Sequence, residues 1–395
     1  MTGGPGTAVG RAPWPLYAAG FVTAFGAHSI AAGLGAYTHE QHASLLTLGI
    51  VLAVYDGAEV VLKPVFGSLA DRIGPRPVLL GGLVAFAVAS AAFVVAGNPA
   101  LVALTRLGQG AAAAAFSPAA GALVARLSPA ARQGRAFGGY GAWKGLGYTL
   151  GPVLGGVLIT VGGFGLLFGV LAGLAVLAAV WAALAVPAVP PLPRERQTVV
   201  DLARRLGRAS FLGPTATLAA ATGALAVGVG FLPVTGAAAG LGPLATGAAV
   251  SVLAVCSALV QPWAGRARDA GRLRDRTGMA LGLGATAAGL TVAALVPGLG
   301  GVLGAAVVIG TGVGLATPLG FAHLAATTPP ERLGQTMGAA EVGRELGDAG
   351  APLLVGAVAV ASSLGGGLIA LAAVVALMGG LVGANRRTAH GEGRS

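Results

Sequence analysis

The chain has 395 residues, of which 55% are hydrophobic and only 9% are charged, and its formal net charge is +11. Soluble domains carry about 25% charged residues, so this composition excludes a water-soluble enzyme or binding module and predicts an all-α membrane protein. The sequence contains no Walker-type glycine loop, no nucleophile paired with a base, and one cysteine, Cys256. We therefore expect no enzyme activity and no cofactor.

Twelve apolar stretches follow one another along the chain, each close to the roughly 20 residues that a membrane-spanning helix needs. They are predicted at 14–36, 44–69, 76–97, 99–126, 134–160, 164–187, 211–236, 242–265, 277–297, 299–326, 334–361 and 365–384. The first stretch is too long for a signal-peptide core and lacks a clear cleavage pattern, so we expect it to remain as a helix.

Among the connections between these stretches, only every second one carries Lys or Arg. The other connections, near 37–43, 97–99, 161–163, 237–241, 297–299 and 361–365, contain no Lys or Arg. Cytoplasmic loops carry the excess of basic residues, so we expect a multi-pass protein of the cytoplasmic (inner) cell membrane with both termini cytoplasmic. The basic balance then indicates contact with anionic membrane lipids and no nucleic-acid partner.

A proline-rich break at 187–193 divides the chain. It predicts an N-terminal six-helix bundle at 1–187, a cytoplasmic linker with a short basic surface helix at 188–210, and a C-terminal six-helix bundle at 211–395. An offset of about 200 residues superposes the two halves, for example Lys144 on Arg344, and an offset near 198 places Asp71 on Asp269. Such repeats are typical of transporters with a pseudo-two-fold axis and a site between the halves at the midplane.

Three segments carry a resemblance to a known family. The segment Gly67-x-Leu69-Ala70-Asp71-Arg72-x-Gly74-x-Arg76 resembles the loop signature of the major facilitator superfamily, and Arg106-Leu107-Gly108-Gln109-Gly110 resembles its helix 4 motif. The third is similar to the motif of the twelve-helix drug/proton antiporter-like group, through Gly147, Gly151, Pro152, Gly155 and Gly156. The resemblance implies the major facilitator fold, alternating access and a monomer.

The first of these segments is a candidate gating motif formed by Gly67, Asp71, Arg72, Gly74 and Arg76. Glycine at 67 and 74 would let helices 2 and 3 reverse over a short loop. The resemblance implies that Asp71 contacts the N-terminus of helix 11 in one state of the cycle. The alternative is a positively charged loop that only sets topology. Because the copy around Asp269 is degraded, we expect the two ends of the gate to differ.

Charged residues inside the apolar stretches lie on shared helix faces. They are Asp56, Glu59 and Lys63 on helix 2, Lys144 on helix 5, and Glu341, Arg344, Glu345 and Asp348 on helix 11. With Arg106, four cations face five acids, which predicts one carboxylate without a partner. Buried charges mark function, and two hypotheses remain: a salt-bridge lattice that clamps the halves, or a carboxylate such as Asp56, Glu59, Glu345 or Asp348 that carries a coupled proton.

The family fold implies that helices 1, 4, 7 and 10 line the substrate cavity. The candidates there are His28, Arg106, Gln109, Phe116, Phe231 and Thr317. Many drug antiporters of this family carry an acid on helix 1, where this chain offers only His28. Outside the membrane stretches, His39 and His42 are spaced to share a metal, but a solvated turn is the preferred interpretation, so no metal site is expected.

Together these observations predict a secondary active transporter working by alternating access, with proton-coupled efflux of small organic compounds as the preferred function. The alternatives are a symporter or facilitator for a small metabolite or organic anion, and a membrane sensor that does not transport. The expected partners are the small-molecule substrate, protons and membrane lipids.

Overall fold

The computed structural model describes residues 13–40, 45–192, 204 and 207–384, with side chains except at 31–40, 45–53, 99, 209, 243 and 244. Within these residues the chain forms twelve long helices. Four lie at α1 Trp14–Glu40, α2 Leu45–Ile73, α3 Pro75–Ala92 and α4 Pro99–Leu127. After α5 and α6 come α7 Ala209–Ala238, α8 Pro243–Asp269, α9 Asp275–Leu295, α10 Gly298–Thr327, α11 Leu333–Ala361 and α12 Leu364–Ala384.

Helices α5 and α6 form one helical run, Gln133–Ala185, that is interrupted at two glycines. Gly162 has φ −144° and ψ 19°, and Gly163 has φ 69° and ψ −175°. Glycine tolerates the left-handed φ at 163 because it has no Cβ. We therefore number 133–161 as α5 and 164–185 as α6. The predicted connection at 161–163 is confirmed.

Eight helical stretches of the described chain are long and apolar enough to cross a membrane, and one of them, Ala130–Ala185, contains both α5 and α6. Helix α11 is not in this set because Glu341, Arg344, Glu345 and Asp348 lie within it. The prediction of an almost entirely helical membrane protein is confirmed.

The internal repeat is visible in the backbone as well as in the sequence. A short 3-10 turn, Ala130–Arg132, leads into α5, and a second, Pro330–Arg332, leads into α11. Arg132 has φ −125° and ψ 8°, and Arg332 has φ −127° and ψ 12°. The same local conformation recurs two hundred positions apart, which supports equivalent roles for α5 and α11.

Packing follows the same repeat. In the first half α1 packs on α5, and α2 and α3 pack on α4; in the second half α7 packs on α11, and α8 and α9 pack on α10. The halves meet where α2 packs on α11 and where α5 packs on α8. A buried apolar cluster around Phe86 and Leu123 continues across the halves to Leu218 and Met337. The two halves therefore share apolar core.

We call one end of the bundle the basic end. It contains Gly74 and the turns at 128–132, 270–274 and 328–332, which carry arginines. The segment after α6 also begins at this end. There the Arg126 guanidinium donates a hydrogen bond to the Pro190 carbonyl at 2.8 Å. The predicted basic surface helix of the linker lies mostly outside the described residues.

Candidate functional site

Asp71 joins the two halves at the basic end. Its carboxylate accepts hydrogen bonds from the backbone N–H of Gly334, at 2.7 Å, and of Gln335, at 2.8 Å. These donors belong to the first turn of α11, where a helix has unpaired N–H groups and partial positive charge. Asp71 is 7% exposed. We call this contact the α2–α11 latch.

The sequence placed Asp71 in a loop, and this is wrong. Helix α2 continues to Ile73, and Gly74, with φ 96°, makes the turn before Pro75 begins α3. The side chain of Arg72 is exposed. Arg76 donates to the Ala183 carbonyl at 2.6 Å and so ties α3 to α6.

A second latch lies at the equivalent interface. Asp269, the last residue of α8, accepts hydrogen bonds from the backbone N–H of Gly134 at 2.8 Å and of Arg135 at 2.7 Å. These donors are in the first turn of α5, so this α8–α5 latch has the geometry of the α2–α11 latch. The expected difference between the two ends of the gate is absent from these contacts, because the degraded copy retains its aspartate.

Paired glycines let the helices approach at both latches. A Cβ on Gly67 would meet the Gly334 carbonyl oxygen, and a Cβ on Gly265 would meet the Gly134 carbonyl oxygen. Small residues allow such backbone contact between membrane helices. The glycines of the gating motif therefore act in helix packing as well as beside the turn.

Above the α2–α11 latch, Lys63 is surrounded by carboxylates. Its Nζ lies 3.0 Å from Glu59 Oε2 on its own helix, 2.5 Å from Glu345 Oε1 and 3.8 Å from Glu341 Oε2 on α11. Lys63 is 1% exposed. A cation this buried requires paired acids. Because Glu341 and Glu345 belong to α11, their contacts with Lys63 join the halves.

Glu341 is the second centre of the same network. The Arg344 guanidinium binds it at 3.0 Å and Lys144 Nζ lies 3.6 Å away, in addition to Lys63. Arg344 also donates to Thr222 Oγ1 on α7 at 3.1 Å. One carboxylate therefore serves cations from three helices. We call Glu59, Lys63, Lys144, Glu341, Arg344 and Glu345 the charge cluster.

The sequence count of one unpartnered carboxylate is wrong. Among the described residues, neither Asp56 nor Asp348 has a basic group within 4.0 Å, and both are exposed. The count failed because Arg106 pairs with no acid in the described part of the chain. It lies 4.1 Å over the Tyr55 ring and donates to Gln109 Oε1 at 3.0 Å.

The predicted cavity residues separate into two groups. Thr317 lines a pocket between the halves, and His28 is exposed, with its ring edge-on to Tyr148 at 4.3 Å between centroids. In contrast, Gln109 is fully buried and donates to Ser90 Oγ at 3.0 Å, while Phe116 belongs to the apolar core.

Arg106 is 2% exposed, and Phe231 packs against the apolar core of the second half. Four of the six candidates therefore serve helix packing.

The antiporter-like motif on α5 faces α1. A Cβ on Gly147 or Gly151 would meet the backbone of Phe25, and one on Gly155 would meet Ser29. Pro152 and Gly156 lie on the exposed side of α5. Gly147, Gly151 and Gly155, spaced four residues apart, thus form a face that packs against α1.

The pocket between the halves contains residues that sequence reasoning missed. The space not filled by atoms is about 550 Å³, a volume that includes open solvent at the mouth of the pocket. It is lined by α5, α7, α8, α10 and α11, through Phe137, Tyr140, Gly141, Lys144, Gly145, Tyr148, Thr222, Leu225, Ser257, Gln261, Val313, Thr317, Phe321, Glu341 and Arg344. The offset of about 198 that aligns α2 with α8 could have identified Gln261 as the equivalent of Lys63.

Within the described side chains, no group of three or more His, Cys, Asp or Glu residues is placed to hold a metal ion. The segment containing His39 and His42 lies outside those side chains.

Comparisons with known proteins agree with this architecture. The chain is 31% identical to the quinolone resistance protein NorA of Staphylococcus aureus over 114 residues, 29% of each chain. It is 32% identical to the uncharacterized MFS-type transporter Rv1250 of Mycobacterium tuberculosis over 143 residues, 36% of this chain and 25% of that protein. The chain thus aligns with only 29% and 25% of the lengths of these curated relatives.

Solved structures match over almost the full length. The fucose:proton symporter FucP of E. coli has a TM-score of 0.78 at 12% identity, covering 95% of this chain and 98% of that one. The human organic anion transporter MFSD10 has a TM-score of 0.76 at 17% identity, covering 96% and 100%. A family model described as Major Facilitator Superfamily matches residues 16–347. With a match of that extent and this twelve-helix architecture, the chain belongs to the Major Facilitator Superfamily, a family of transporters and not of enzymes.

Proposed function

We propose that this transporter exports small organic compounds in exchange for protons, works by alternating access as a monomer, and lies in the inner membrane with its basic end in the cytoplasm. The similarity to NorA, named for quinolone resistance, supports efflux. The arginines gathered at one end support the orientation. The contact that carries the proposal is the ion pair between Lys63 and Glu345.

This ion pair joins the halves at the interface that the α2–α11 latch closes. Protonation of Glu345 would remove its charge and leave Lys63 with Glu59, 3.0 Å away on the same helix, and with the more distant Glu341, 3.8 Å away on α11. Lys63 therefore keeps an intrahelical partner when its shortest ion pair across the halves is lost. Protonation of Glu345 thus breaks its ion pair with Lys63 and favours the state in which the halves separate at this interface. Such a link between proton binding and conformation is what coupling to alternating access requires.

The proposed route for the proton follows the same helix faces. Asp348 follows Glu345 by three residues on α11, so the two side chains project from one side of the helix. Asp56 occupies the corresponding part of α2, and both aspartates are exposed. Glu345 itself has a side chain that is 20% exposed. In this proposal the exposed aspartates deliver the proton to the carboxylates that adjoin Lys63.

Proteoliposomes with an imposed pH gradient test this proposal. Asp56→Asn and Glu345→Gln should each reduce gradient-driven transport while exchange of substrate without a gradient persists. Glu331→Gln, in the turn before α11, is a matched control that should retain coupling. Unchanged gradient-driven transport in both Asp56→Asn and Glu345→Gln would remove the proposal of proton coupling through these groups.

Import of a small metabolite or organic anion, by symport or facilitated diffusion, is the second candidate. It is favoured by the position of Lys144 and Arg344, which face the pocket and share one acid, Glu341. The polarity of the gradient separates the two functions, because an antiporter moves substrate against the direction of proton flow. A sensor without transport would show neither flux, and the retained charge cluster argues against it.

A further inference from the structure

The α2–α11 interface, which contains the ion pairs of Lys63, and the α5–α8 interface, beside the pocket, occupy equivalent positions in the two repeats. The backbone contacts establish this equivalence: a Cβ on Gly338 would meet the Lys63 carbonyl oxygen, and a Cβ on Gly138 would meet the Gln261 carbonyl oxygen. The pairs that follow are Glu59 with Ser257, Lys63 with Gln261, Glu341 with Gly141, Arg344 with Lys144, Glu345 with Gly145, and Asp348 with Tyr148.

The side chains that fill the α2–α11 interface are therefore missing from the α5–α8 interface. The two α11 carboxylates near Lys63, Glu341 and Glu345, are replaced by Gly141 and Gly145, and the lysine is replaced by the neutral Gln261. All three replacements line the pocket. The space for a ligand therefore lies where small or neutral residues of α5 and α8 replace the charged residues of α11 and α2.

Unpaired polar atoms line this space. Gln261 is 5% exposed, and its amide Nε2 lies 3.5 Å from Ser257 Oγ. Among the residues that the structure describes, neither its Oε1 nor the buried Tyr140 hydroxyl has a hydrogen-bond partner. More than nine in ten buried polar groups are hydrogen-bonded. Two orphans lining one pocket indicate a ligand that supplies the missing partners.

The pocket also carries positive charge. Lys144 and Arg344 line it and share the single carboxylate of Glu341. Lys144 Nζ also donates to Ser117 Oγ at 3.2 Å. An ammonium has three donors, so one remains for an acceptor on a ligand.

Aromatic rings form the remaining wall. Phe137 on α5 and Phe321 on α10 stack across the halves with their centroids 5.8 Å apart and their planes within 12°. Tyr148 adds a third ring. Flat aromatic groups pack well against such surfaces.

We infer that this pocket, between the halves and beside the α5–α8 interface, is a solute subsite that binds an aromatic organic anion, with its carboxylate on Lys144 and a hydroxyl or amino group on the Gln261 amide. The inference rests on the proposed transport function. The two interfaces then have different roles. The α2–α11 interface retains the ion pairs of Lys63, and the α5–α8 interface borders the solute.

Three probes on the detergent-purified full chain test the subsite: 3-hydroxy-2-naphthoate, 2-naphthoate, and 3-hydroxy-2-naphthamide as the neutral analogue. The unaltered protein should bind the hydroxylated carboxylate most tightly. Gln261→Leu should weaken that probe about tenfold, the size of one hydrogen bond, and leave 2-naphthoate unchanged. Lys144→Met should weaken both carboxylates about tenfold or more and leave the amide unchanged.

The readout is the ratio between two probes on one protein sample, so it does not depend on the folded fraction of a variant. Gln133→Leu is the matched control, because Gln133 is also buried with an unpaired Oε1 but lies outside the pocket. It should leave every ratio unchanged. Equal weakening of 2-naphthoate and its hydroxylated analogue by Gln261→Leu, or no preference for carboxylate over amide, would overturn the inference.

Transport assays separate this inference from the proposed function. Proton-driven export of other solutes by a protein that does not bind the naphthoates refutes the subsite alone. The expected binding pattern without any effect of a pH gradient supports the subsite and refutes proton coupling.

Discussion

The α2–α11 latch provides the most direct test of how the basic end opens. Asp71→Asn keeps one acceptor oxygen but removes the charge that faces the N-terminus of α11. The two hydrogen bonds, at 2.7 and 2.8 Å, are bonds to a charged group in a buried setting. Such bonds are worth about 1.5–3 kcal/mol each, and a neutral one about 1 kcal/mol. With one neutral bond in place of two charged ones, we expect the closed state to lose about 2–5 kcal/mol, a shift of about 30-fold or more toward opening.

The change can be measured as a distance between spin labels at the basic end. Arg132→Cys and Arg332→Cys, in a Cys256→Ala background, place one label in the turn before α5 and one in the turn before α11. Asp71→Asn should increase the population at longer distance. An unaltered distance distribution would show that the latch does not hold this end closed.

The equivalent latch supplies an internal control. Asp269 accepts two backbone hydrogen bonds of the same length, 2.8 and 2.7 Å, from the first turn of α5. Asp269→Asn should therefore shift the equilibrium by a similar amount. If both latches close one state, the free-energy changes should add in the double variant. A shift from Asp71→Asn without one from Asp269→Asn would contradict the equivalence of the two interfaces.

Three further predictions concern packing, charge and orientation. Lys63→Met should lower the free energy of unfolding by about 3–5 kcal/mol, because it leaves buried acids unpaired; the double variant with Glu345→Gln should recover part of this loss, as measured by thermal unfolding in detergent. Gly265→Ala should prevent closure of the α8–α5 interface, since its Cβ would overlap the opposing backbone, and a cross-linking assay would then show an open basic end. Ala270→Cys, in the turn after α8, should react in a Cys256→Ala background only with reagents that enter the cytoplasm; labelling from outside would reverse the proposed orientation.

Much of this architecture follows from local properties of the chain. The length of each apolar stretch determines that a helix can cross a bilayer, which is why the predicted stretch at 334–361 agrees with α11, Leu333–Ala361. The offset of about 200 between Lys144 and Arg344 reveals the duplication. The contact of Asp71 with α11 was also expected, although only through the family resemblance.

Helix ends near glycine were harder to place. A motif of charged residues and glycines indicates a loop, yet α2 continues through Asp71 to Ile73. Tertiary contact stabilises this last turn, because the Asp71 carboxylate has its donors on α11. Local composition does not contain that information.

The partners of the buried charges were decided by the tertiary structure alone. Counting residues assigns Arg106 to a carboxylate, but rotation of α4 directs it toward the Tyr55 ring and Gln109. Within the described residues, two acids, Asp56 and Asp348, therefore lack a basic partner where the count allowed one. Likewise, Gln261 is one polar residue in an apolar helix until packing places it against Gly141 and Gly145. The sequence by itself determined the number, length and duplication of the helices, because these depend on hydrophobicity along the chain; the pairing of charges and the position of the pocket depend on which helix faces meet in space.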